Sequence, residues 1–258
     1  MKVISWNLLH GQQIPPGPPG SPDADWIQAC TRLGADLLGL QEIDEHQPRS
    51  SRAKQIEEIA AAMETTHWAY ARTVIGTPGE KWRKPAPGES VLHAEFSEPS
   101  YGIGLVSKIP VHNWHRIELG HSWVGLPLPV ASNKGSRFVY VKDEPRVALI
   151  AELDNGYTVA VTHLSFVPFV NYFQLRKLQR VMKKLPGKKL IIGDLNMGWN
   201  IPGRFTKWQS LVTRNTYPAW KPAIQFDYIL AAENYATTSL AHPQVGVSDH
   251  ASIGVKLH

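Results

Sequence analysis

The feature that most constrains this chain is the segment Leu190-Ile191-Ile192-Gly193-Asp194-Leu195-Asn196-Met197-Gly198. Its first residues form an apolar run, which is typical of a strand buried on both faces. Asp194 and Asn196 follow at alternate positions, so their side chains would project the same way from an extended chain. Such a pair could hold a phosphate oxygen and direct a proton or a metal-bound water. Because Gly, Asp and Asn are also typical of a tight turn, the segment alone leaves both interpretations open.

The composition predicts one large α/β domain spanning residues 1–258. Hydrophobic residues make up 43% of the chain and charged residues 19%, which is ordinary for a globular protein able to bury a substantial core. The single cysteine, Cys30, excludes an internal disulfide and leaves no cysteine cluster for zinc. No apolar run is long enough to cross a bilayer, and residues 1–7 resemble a strand more than a secretory signal. We therefore expect a cytoplasmic monomer without membrane insertion and without an evident protein partner.

Apolar patterning and turn residues place the elements along the chain. Strands are predicted over residues 2–7, 36–42, 67–74, 101–106, 146–153, 157–163, 190–193, 226–230 and 251–257. Helices are predicted from Asp23 or Asp25 to about Leu33, over residues 52–63, and from Asn171 as its cap to Leu185. The Pro/Gly-rich residues 14–22 are expected to form a surface loop, and residues 76–99 and 120–137 are expected to be loop-rich.

Basic residues give the chain a net charge of +5 and a pI of about 9.2, which favours a polyanionic partner such as nucleic acid. In the insertion over residues 76–99, Lys81-Trp82-Arg83-Lys84 could stack on bases and pair with phosphates. Lys177, Arg180 and Lys184 share one face of the third predicted helix. A solvated loop tip and a solvated helix face are the alternatives for these two groups.

Polar side chains collect where the predicted strands end. They are Asn7, Glu42, His163, Asp194, Asn196, Asp227 and the pair Asp249-His250. Because catalytic groups gather on the loops of α/β scaffolds, so many such positions favour an active site over separate structural roles. Histidines and carboxylates without a Ser or Cys nucleophile motif indicate hydrolysis by activated water. Oxygen ligands without thiolates favour a hard ion, Mg²⁺ or Mn²⁺.

Six short motifs occur in a fixed order along the chain: Ser5-Trp6-Asn7, Leu40-Gln41-Glu42, Thr162-His163-Leu164, Gly193-Asp194-Leu195-Asn196, Phe226-Asp227-Tyr228-Ile229-Leu230 and Ser248-Asp249-His250. Their order resembles the endonuclease/exonuclease/phosphatase superfamily, and the match extends from Ser5 to His250. The resemblance implies a four-layer α/β/β/α sandwich, in which two packed mixed β-sheets are flanked by helices. It also implies Mg²⁺-dependent cleavage of a phosphoester.

The resemblance further implies roles for the metal-binding and acid–base residues. Glu42 would be the principal metal ligand, assisted by Asn7 and Asp249. His250 would be the general base or the imidazole that orients the phosphate, and Asp227 would fix its tautomer.

The resemblance also implies how the phosphate is held. Asp194 would position or deprotonate the attacking water, and Asn196 would hold a nonbridging phosphate oxygen. His163 would donate to the phosphate and stabilise the developing charge. Arg146, at the start of a predicted strand, is a further candidate for a phosphate contact.

Two departures narrow the comparison within the superfamily. His163 and Phe166 stand where abasic-site endonucleases have Tyr and Asn. The chain therefore resembles the His-containing branch of pancreatic-type deoxyribonucleases, sphingomyelinases and tyrosyl-DNA phosphodiesterases. Tyr228 stands where inositol-polyphosphate phosphatases have a basic residue. The acidic partner of His163 in the deoxyribonuclease branch could be Glu95 or Glu98.

The leading hypothesis is a Mg²⁺-dependent phosphodiesterase with nucleic acid as its substrate, hence a nuclease. An enzyme of the same chemistry that acts on a lipid head group or small phosphoester is the alternative. A third hypothesis is a binding module that kept the fold but lost catalysis. It is ranked last because such a module should have lost some of Glu42, Asp194, Asn196 or His250, and all are present.

Overall fold

The computed structural model describes residues 1–14, 25–90, 92, 96–132, 135–240 and 246–258. The strands are β1 (Lys2–Asn7), β2 (Leu37–Glu45), β3 (His67–Gly76), β4 (Trp82–Arg83), β5 (Ser100–Ser107), β6 (Val111–Gly120), β7 (Leu126–Ser132), β8 (Gly135–Val141), β9 (Arg146–Leu153), β10 (Tyr157–His163), β11 (Lys188–Asp194), β12 (Gln209–Ser210), β13 (Asp227–Ala231), β14 (Thr237–Leu240) and β15 (Ile253–Leu257). The helices are α1 (Trp26–Arg32), α2 (Gln55–Ala62), α3 (Val170–Met182) and α4 (Ile201–Phe205).

Two large mixed sheets form the centre of the fold. The first has the strand order β14-β15-β1-β2-β5-β3-β4, and the second has the order β12-β13-β11-β10-β9-β6. In the first sheet β1 runs parallel to β2, and in the second β10 runs parallel to β11. Because parallel neighbours need a crossover, α1 connects the first pair and α3 connects the second. The predicted α/β sandwich is therefore confirmed.

The hydrophobic core lies in three layers. One cluster, including Val3, Val161 and Ile192, fills the space between the sheets. A second cluster, including Ile4, packs under α1 and α2, and a third, including Ile191, packs under α3. Neighbours such as Val3 and Ile4 thus point to opposite buried faces, which is why the central strands are continuous apolar runs.

Several predicted elements differ in extent from those in the structure. Asp25, one of the two caps predicted for the first helix, caps α1 by accepting the backbone N–H of Gln28. The prediction that Asn171 caps the third helix was wrong, because the cap position is Phe169 and Asn171 lies inside the helix. Residues 120–137 were predicted to be loop-rich, but most of them belong to the antiparallel hairpin of β7 and β8. Strands β6 and β14, both at sheet edges, were not predicted.

The hairpin escaped prediction because Pro127 and Pro129 interrupt its first strand. A proline cannot donate a hydrogen bond to a sheet ladder, so two prolines in a short segment favour a loop over a strand when only the sequence is read. Prolines are nevertheless tolerated in edge strands. In the hairpin the two prolines oppose Tyr140 and Phe138. The Pro/Gly-rich loop predicted over residues 14–22 lies largely outside the described residues.

Candidate active site

The ends of the central strands meet at one edge of the two sheets. Asn7 is the last residue of β1, His163 the last of β10 and Asp194 the last of β11. Asp227 begins β13 and is the register partner of Asp194, so an antiparallel strand starts where a parallel strand ends. A cavity of about 460 Å³ opens at this edge. Its walls include six of the predicted site residues, namely Glu42, Arg146, His163, Asp194, Asn196 and His250.

Glu42 reaches this cavity from a bulge within β2. The pairing of β2 with β5 shifts between Leu40 and Ile43, and Glu42 has a φ of 55°. A bulge re-aims the side chain it carries, which here brings the carboxylate to the cavity wall. The predicted strand ended at Glu42, whereas β2 continues to Glu45 because the ladder resumes after the bulge.

The segment from Leu190 to Gly198 contains both a turn and part of the site. Gly193 has a φ of 144°, and a Cβ there would collide with the carbonyl oxygen of Thr162. Asn196 has a φ of 51°, and its backbone N–H donates to Asp194 Oδ1 at 2.9 Å. The two side chains therefore converge through a turn, not through an extended chain as the alternation predicted.

Asn196 links the turn to the end of β10. Its Nδ2 donates to the carbonyl oxygen of Leu164 at 3.0 Å and to His163 Nε2 at 3.2 Å. The backbone oxygen of Asn196 accepts from Asn171 Nδ2 at 2.9 Å. Asn171 therefore fixes the position of Asn196 instead of capping its own helix, a contact that no sequence motif indicates.

His250 lies between two aspartates. Its Nδ1 is 2.8 Å from Asp227 Oδ2, and its Nε2 is 3.7 Å from Asp194 Oδ2. Burial alone would lower the pKa of His250, but the negative charges of Asp227, Asp194 and Asp249 outweigh it and raise that pKa to about 10. In the protein without a bound cation His250 is therefore an imidazolium near neutral pH, with Asp227 holding its Nδ1–H.

The backbone around His250 is tied to β1. Trp6 Nε1 donates to the backbone oxygen of His250 at 2.8 Å, and the backbone N–H of His250 donates to Ser248 Oγ at 3.0 Å. Ser248 Oγ in turn donates to the backbone oxygen of Asn7 at 2.6 Å. The Ser-Trp-Asn and Ser-Asp-His motifs, at opposite ends of the sequence, are thus joined by direct hydrogen bonds.

The carboxylates of the site repel one another. Burial raises the pKa of Glu42 to about 7, with the charge of Asp249 as the next cause. Burial also raises the pKa of Asp249, and burial together with the nearby Asp227 raises that of Asp194 to about 6. Asn7 Nδ2 donates to Glu42 Oε1 at 2.9 Å and to Asp194 Oδ2 at 3.2 Å.

These residues fit a hard divalent cation. Buried carboxylates with raised pKa values become stable as anions when a cation neutralises them, and an oxygen-rich donor set suits Mg²⁺ or Mn²⁺. Glu42 and Asp249 supply such oxygens. The amide oxygen of Asn7 is oriented by the backbone N–H of Leu9, which it accepts at 3.1 Å, and its second lone pair can serve a cation. The ligand atoms of Asp194, Asp227 and His250 also lie within 4.8 Å of one another, a second position that a cation could take only by displacing a proton from His250.

His163 is a neutral imidazole in this arrangement. Burial lowers its pKa well below the usual value, and the nearby Arg146 and His250 charges act in the same direction. Its Nε2 accepts from Asn196 and lies 3.6 Å from Asp194 Oδ2. Of the two predicted acidic partners, Glu98 instead pairs with Arg83 at 3.0 Å, and Glu95 lies outside the described residues.

Arg146 lines the cavity but is already paired. It is buried, and its guanidinium lies 3.2 Å from Asp143 Oδ1 and 3.1 Å from Glu144 Oε1. These two acids, which the sequence analysis did not single out, offset the positive charge that would attract a phosphate. Glu144 itself is part of the cavity wall.

Aromatic side chains that the sequence analysis did not assign to the site complete the cavity. They are Trp82, Tyr101, Phe166, Tyr217 and Phe226. The Tyr217 ring lies 5.0 Å from the His250 ring. Phe226 belongs to one of the six motifs and Trp82 to the basic insertion, so the sequence contained a signal for both residues. It contained no such signal for Tyr217 or Tyr101.

The basic insertion is held by ion pairs. Arg83 pairs with Glu89 at 2.6 Å and with Glu98, and Lys84 pairs with Glu118 at 2.7 Å. Two of its three cations are therefore engaged within the protein. The insertion instead places Trp82 on the wall of the cavity.

Comparisons with known proteins identify the family. The sequence model of the Endonuclease/Exonuclease/phosphatase family matches residues 4–250. The chain therefore belongs to this family, whose members are hydrolases that act on phosphoester bonds. None of the curated proteins compared with the chain matches it.

Similar solved structures share the fold. An endonuclease/exonuclease/phosphatase from Beutenbergia cavernae is 18% identical, with a TM-score of 0.62, and the alignment covers 100% of this chain and 71% of that one. A mannosyl-6-phosphatase from Bacteroides thetaiotaomicron is 12% identical, with a TM-score of 0.58 and coverage of 100% and 99%. ANGEL2, a 2',3'-cyclic phosphatase, is 14% identical, with a TM-score of 0.59 and coverage of 99% and 94%.

In the part of the chain that the structure describes, every helix is too short or too polar to span a membrane.

The raised carboxyl pKa values predict how stability depends on pH and metal. A carboxyl whose pKa is raised by folding, such as Glu42 at about 7, stabilises the fold at low pH and loses this contribution as pH rises through that value. We therefore expect the Tm in chelator to fall between pH 5 and pH 8, and the Tm increase caused by Mg²⁺ to be larger at pH 8.

Differential scanning fluorimetry at both pH values measures this effect. The control is Glu42→Gln, in which the Mg²⁺-dependent increase should vary less with pH because the titrating ligand is gone. A Mg²⁺ response that is equal at the two pH values in the unmodified protein would contradict the metal assignment of Glu42.

Proposed function

We propose that this protein is a metal-dependent phosphodiesterase that hydrolyses nucleic acid, with residues 1–258 forming a single catalytic domain. The observation that supports it best is the buried arrangement of His250 between Asp227 and Asp194, beside the carboxylate of Glu42. Family membership supports phosphoester hydrolysis, and the net charge of +5 favours a polyanionic substrate.

In this proposal Glu42, Asp249 and Asn7 hold a Mg²⁺ or Mn²⁺ ion. When bound, the ion supplies charge stabilisation for the phosphate oxygens. The protein's own residues position the phosphate, direct the water and move its proton.

Asp194 and His250 divide the acid–base work. Asp194, with a pKa of about 6, is ionised near neutral pH and takes the proton of the attacking water as the water oxygen bonds to phosphorus and the bond to the ester oxygen breaks. The leaving oxygen takes a proton from solvent, to which Asp194 then returns its own. His250, held protonated by Asp227, donates from Nε2 to a phosphate oxygen. Of the two roles that the sequence allowed for His250, orienting the phosphate therefore has the better physical support.

His163, Asn196 and Arg146 complete the phosphate site in the proposal. Asn196 would give a nonbridging oxygen one of the two Nδ2 hydrogens that it otherwise donates to the Leu164 carbonyl oxygen and His163 Nε2, and His163 approaches the same region from the end of β10. Arg146 adds a positive charge to the cavity wall, but Asp143 and Glu144 offset most of that charge. The contribution of Arg146 is expected to be the smallest of the three.

A panel of substrates tests the proposed function. Purified protein with Mg²⁺ should cleave at least one of single-stranded DNA, double-stranded DNA and RNA, and should release product from a chromogenic diester. Sphingomyelin, a phosphoinositide and a sugar phosphate provide the comparison. Cleavage of none of these compounds would contradict phosphoester hydrolysis, and cleavage of the small esters alone would contradict the nuclease assignment.

Hydrolysis of a small phosphoester is the second candidate. It is favoured by the ion pairs of Arg83 and Lys84, which remove two cations that a polymer could have used near the cavity. The names of two structural neighbours, mannosyl-6-phosphatase and 2',3'-cyclic phosphatase, describe esters of this size.

Salt dependence separates the two candidates. A polymeric substrate releases about 0.9 counterions for each phosphate contact on duplex DNA, so its log affinity should fall steeply with log salt. Turnover of the chromogenic diester should barely change over the same range. Binding is measured by fluorescence anisotropy and turnover by absorbance.

The same measurement tests the basic insertion. Replacing Lys81, Arg83 and Lys84 together by Ala should leave the salt slope nearly unchanged, since Arg83 and Lys84 are paired within the protein. A strongly flattened slope in this triple variant would show that the insertion binds the polymer. A shallow slope in the unmodified protein would favour the small phosphoester.

A further inference from the structure

A second cavity, of about 250 Å³, lies on the outer side of the second sheet, between α3 and the segment that joins α4 to β12. Its wall consists of Arg176, Gln179, Arg180, Lys183, Lys207 and Trp208. Four of these side chains are cationic and none is acidic. The cavity therefore presents a concentrated positive charge, well apart from the acidic active site.

In the part of the chain that the structure describes, the four cationic side chains of this cavity form no ion pairs with acidic side chains, unlike two of the cations in the basic insertion. Within the described ranges, no salt bridge joins Arg176, Arg180, Lys183 or Lys207 to an acidic side chain. Arg176, Arg180 and Lys183 follow one another at helical spacing on one face of α3 and its C-cap. Like charges at such spacing destabilise a helix, so their clustering here has a cost that a bound anion would remove.

A buried amide points to a ligand at the same place. Gln179 is only 3% exposed, and its Nε2 is buried without a hydrogen-bond partner in the described part of the protein. An unsatisfied buried donor is unfavourable, and a phosphate oxygen in the cavity would satisfy it. Attraction to the C-terminal dipole of α3 accounts for Arg180 and Lys183, but it accounts for neither Gln179 nor Lys207.

The cavity is built before any ligand arrives. Trp208 is 3% exposed and belongs to the core cluster under α3. Its backbone N–H donates to Thr206 Oγ1 at 3.1 Å, and the Tyr172 hydroxyl of α3 donates to the backbone oxygen of Phe205 at 3.3 Å. The segment that carries Lys207 is thus attached to the same helix that carries the other cations.

We propose that Arg176, Gln179, Arg180, Lys183 and Lys207 form a phosphate-binding site that is separate from the active site. Asn171 contacts the active site near the start of α3, and the rise of a helix places residues 176–183 roughly 8–18 Å further along it. The ligand is a phosphate group, carried either by a small free anion or by the backbone of a nucleic acid. The site requires no metal and stands independently of the proposed function.

Binding in chelator tests the proposal. Without its cation the active site holds Glu42, Asp194 and Asp249 around the single positive charge of His250, and the variants below leave it unchanged, so differences between them report on the second cavity. Inorganic pyrophosphate is titrated by calorimetry, and a fluorescein-labelled single-stranded DNA 12-mer is titrated by anisotropy at several salt concentrations. The test variant is R180S/K183S.

The matched control is K177S/K184S, which removes the same charge from exposed positions of the same helix region outside the cavity wall. A third variant, Gln179→Leu, removes the buried amide without changing the charge. Circular dichroism and Tm show whether each variant folds.

We expect R180S/K183S to lose at least tenfold in affinity and to reduce the DNA salt slope by about 1.4, the value for two contacts on a single strand. K177S/K184S should change both quantities much less, and Gln179→Leu should weaken binding while raising or preserving Tm. A loss seen only with pyrophosphate identifies a free anion as the ligand. A loss seen only with DNA identifies the phosphodiester backbone.

Equal losses in the two double variants would overturn the proposal, because they would reflect net charge alone. The absence of measurable binding of either probe to the unmodified protein would overturn it as well. Catalytic turnover of a small diester with Mg²⁺ should be retained in all three variants, so failure of this site is distinguishable from failure of the proposed function.

Discussion

Replacing His250 by Ala should lower turnover by roughly two or more orders of magnitude, the scale of losing a positioned donor to a developing negative charge. The loss is expected because His250 carries the positive charge held between Asp227 and Asp194 at the wall of the cavity. Asp194→Ala should cost a similar factor, since it removes the group proposed to take the proton of water. Asp227→Asn should cost less than either change, because His250 remains and loses only its orienting partner.

Steady-state kinetics with a chromogenic diester measure these effects, and circular dichroism and Tm confirm that each variant folds. His112→Ala is the matched control, since its ring lies on β6 at the exposed edge of the second sheet and should leave turnover unchanged. A folded His250→Ala or Asp194→Ala variant with near wild-type turnover would show that the assigned role is wrong.

Removal of divalent cations should abolish turnover, and Mg²⁺ or Mn²⁺ should restore it. The expectation rests on Glu42 and Asp249, two partly buried carboxylates whose raised pKa values indicate that no group of the protein fully neutralises them. Glu42→Gln should raise the Mg²⁺ concentration needed for half-maximal activity by an order of magnitude or more, because a charged ligand becomes a neutral one.

Titration of Mg²⁺ after treatment with chelator measures this requirement. Glu64→Gln, an exposed position, removes the same charge away from the site and should leave the Mg²⁺ requirement unchanged. Full activity in excess chelator would contradict the metal assignment. A Glu42→Gln variant with a normal requirement would instead favour the alternative cation position at Asp194, Asp227 and His250.

These two predictions concern one connected unit. Asn7 donates to both Glu42 and Asp194, and Ser248 ties the backbone of Asn7 to that of His250. A change in the metal ligands will therefore alter the environment of the acid–base pair. Effects of combined substitutions in this unit are expected to be smaller than the sum of the single effects, as is usual for residues that act together.

The structure also changes where a polyanion is expected to bind. The sequence offered Lys81, Arg83 and Lys84 as a basic insertion and Lys177, Arg180 and Lys184 as a basic helix face. Pairing with Glu89, Glu98 and Glu118 engages most of the first group, and the proposed phosphate-binding site takes only Arg180 from the second. Counting charges along a sequence could not distinguish these cases, because pairing depends on how the chain folds back: Glu89 and Glu98 come from the insertion itself and Glu118 from β6.

Through its six ordered motifs, the sequence by itself indicated the sandwich and six of the residues that line the cavity. Buried strands are continuous apolar runs, so residues 2–7, 157–163 and 190–193 stand out, and the polar residue at or just after the end of each run marks the edge where strands finish. Local rules also limited the start of α1 to two candidate caps, Asp23 and Asp25, of which Asp25 accepts the backbone N–H.

Only the tertiary structure decided how those residues are oriented and charged. The bulge at Glu42 depends on the ladder with β5, and the contact of Asn171 with Asn196 depends on how α3 packs on the second sheet. The protonation of His250 follows from the balance between burial and three carboxylates brought together from separate strands and loops. Such balances depend on distances of a few ångströms between groups far apart in the chain, and the order of amino acids does not encode those distances locally.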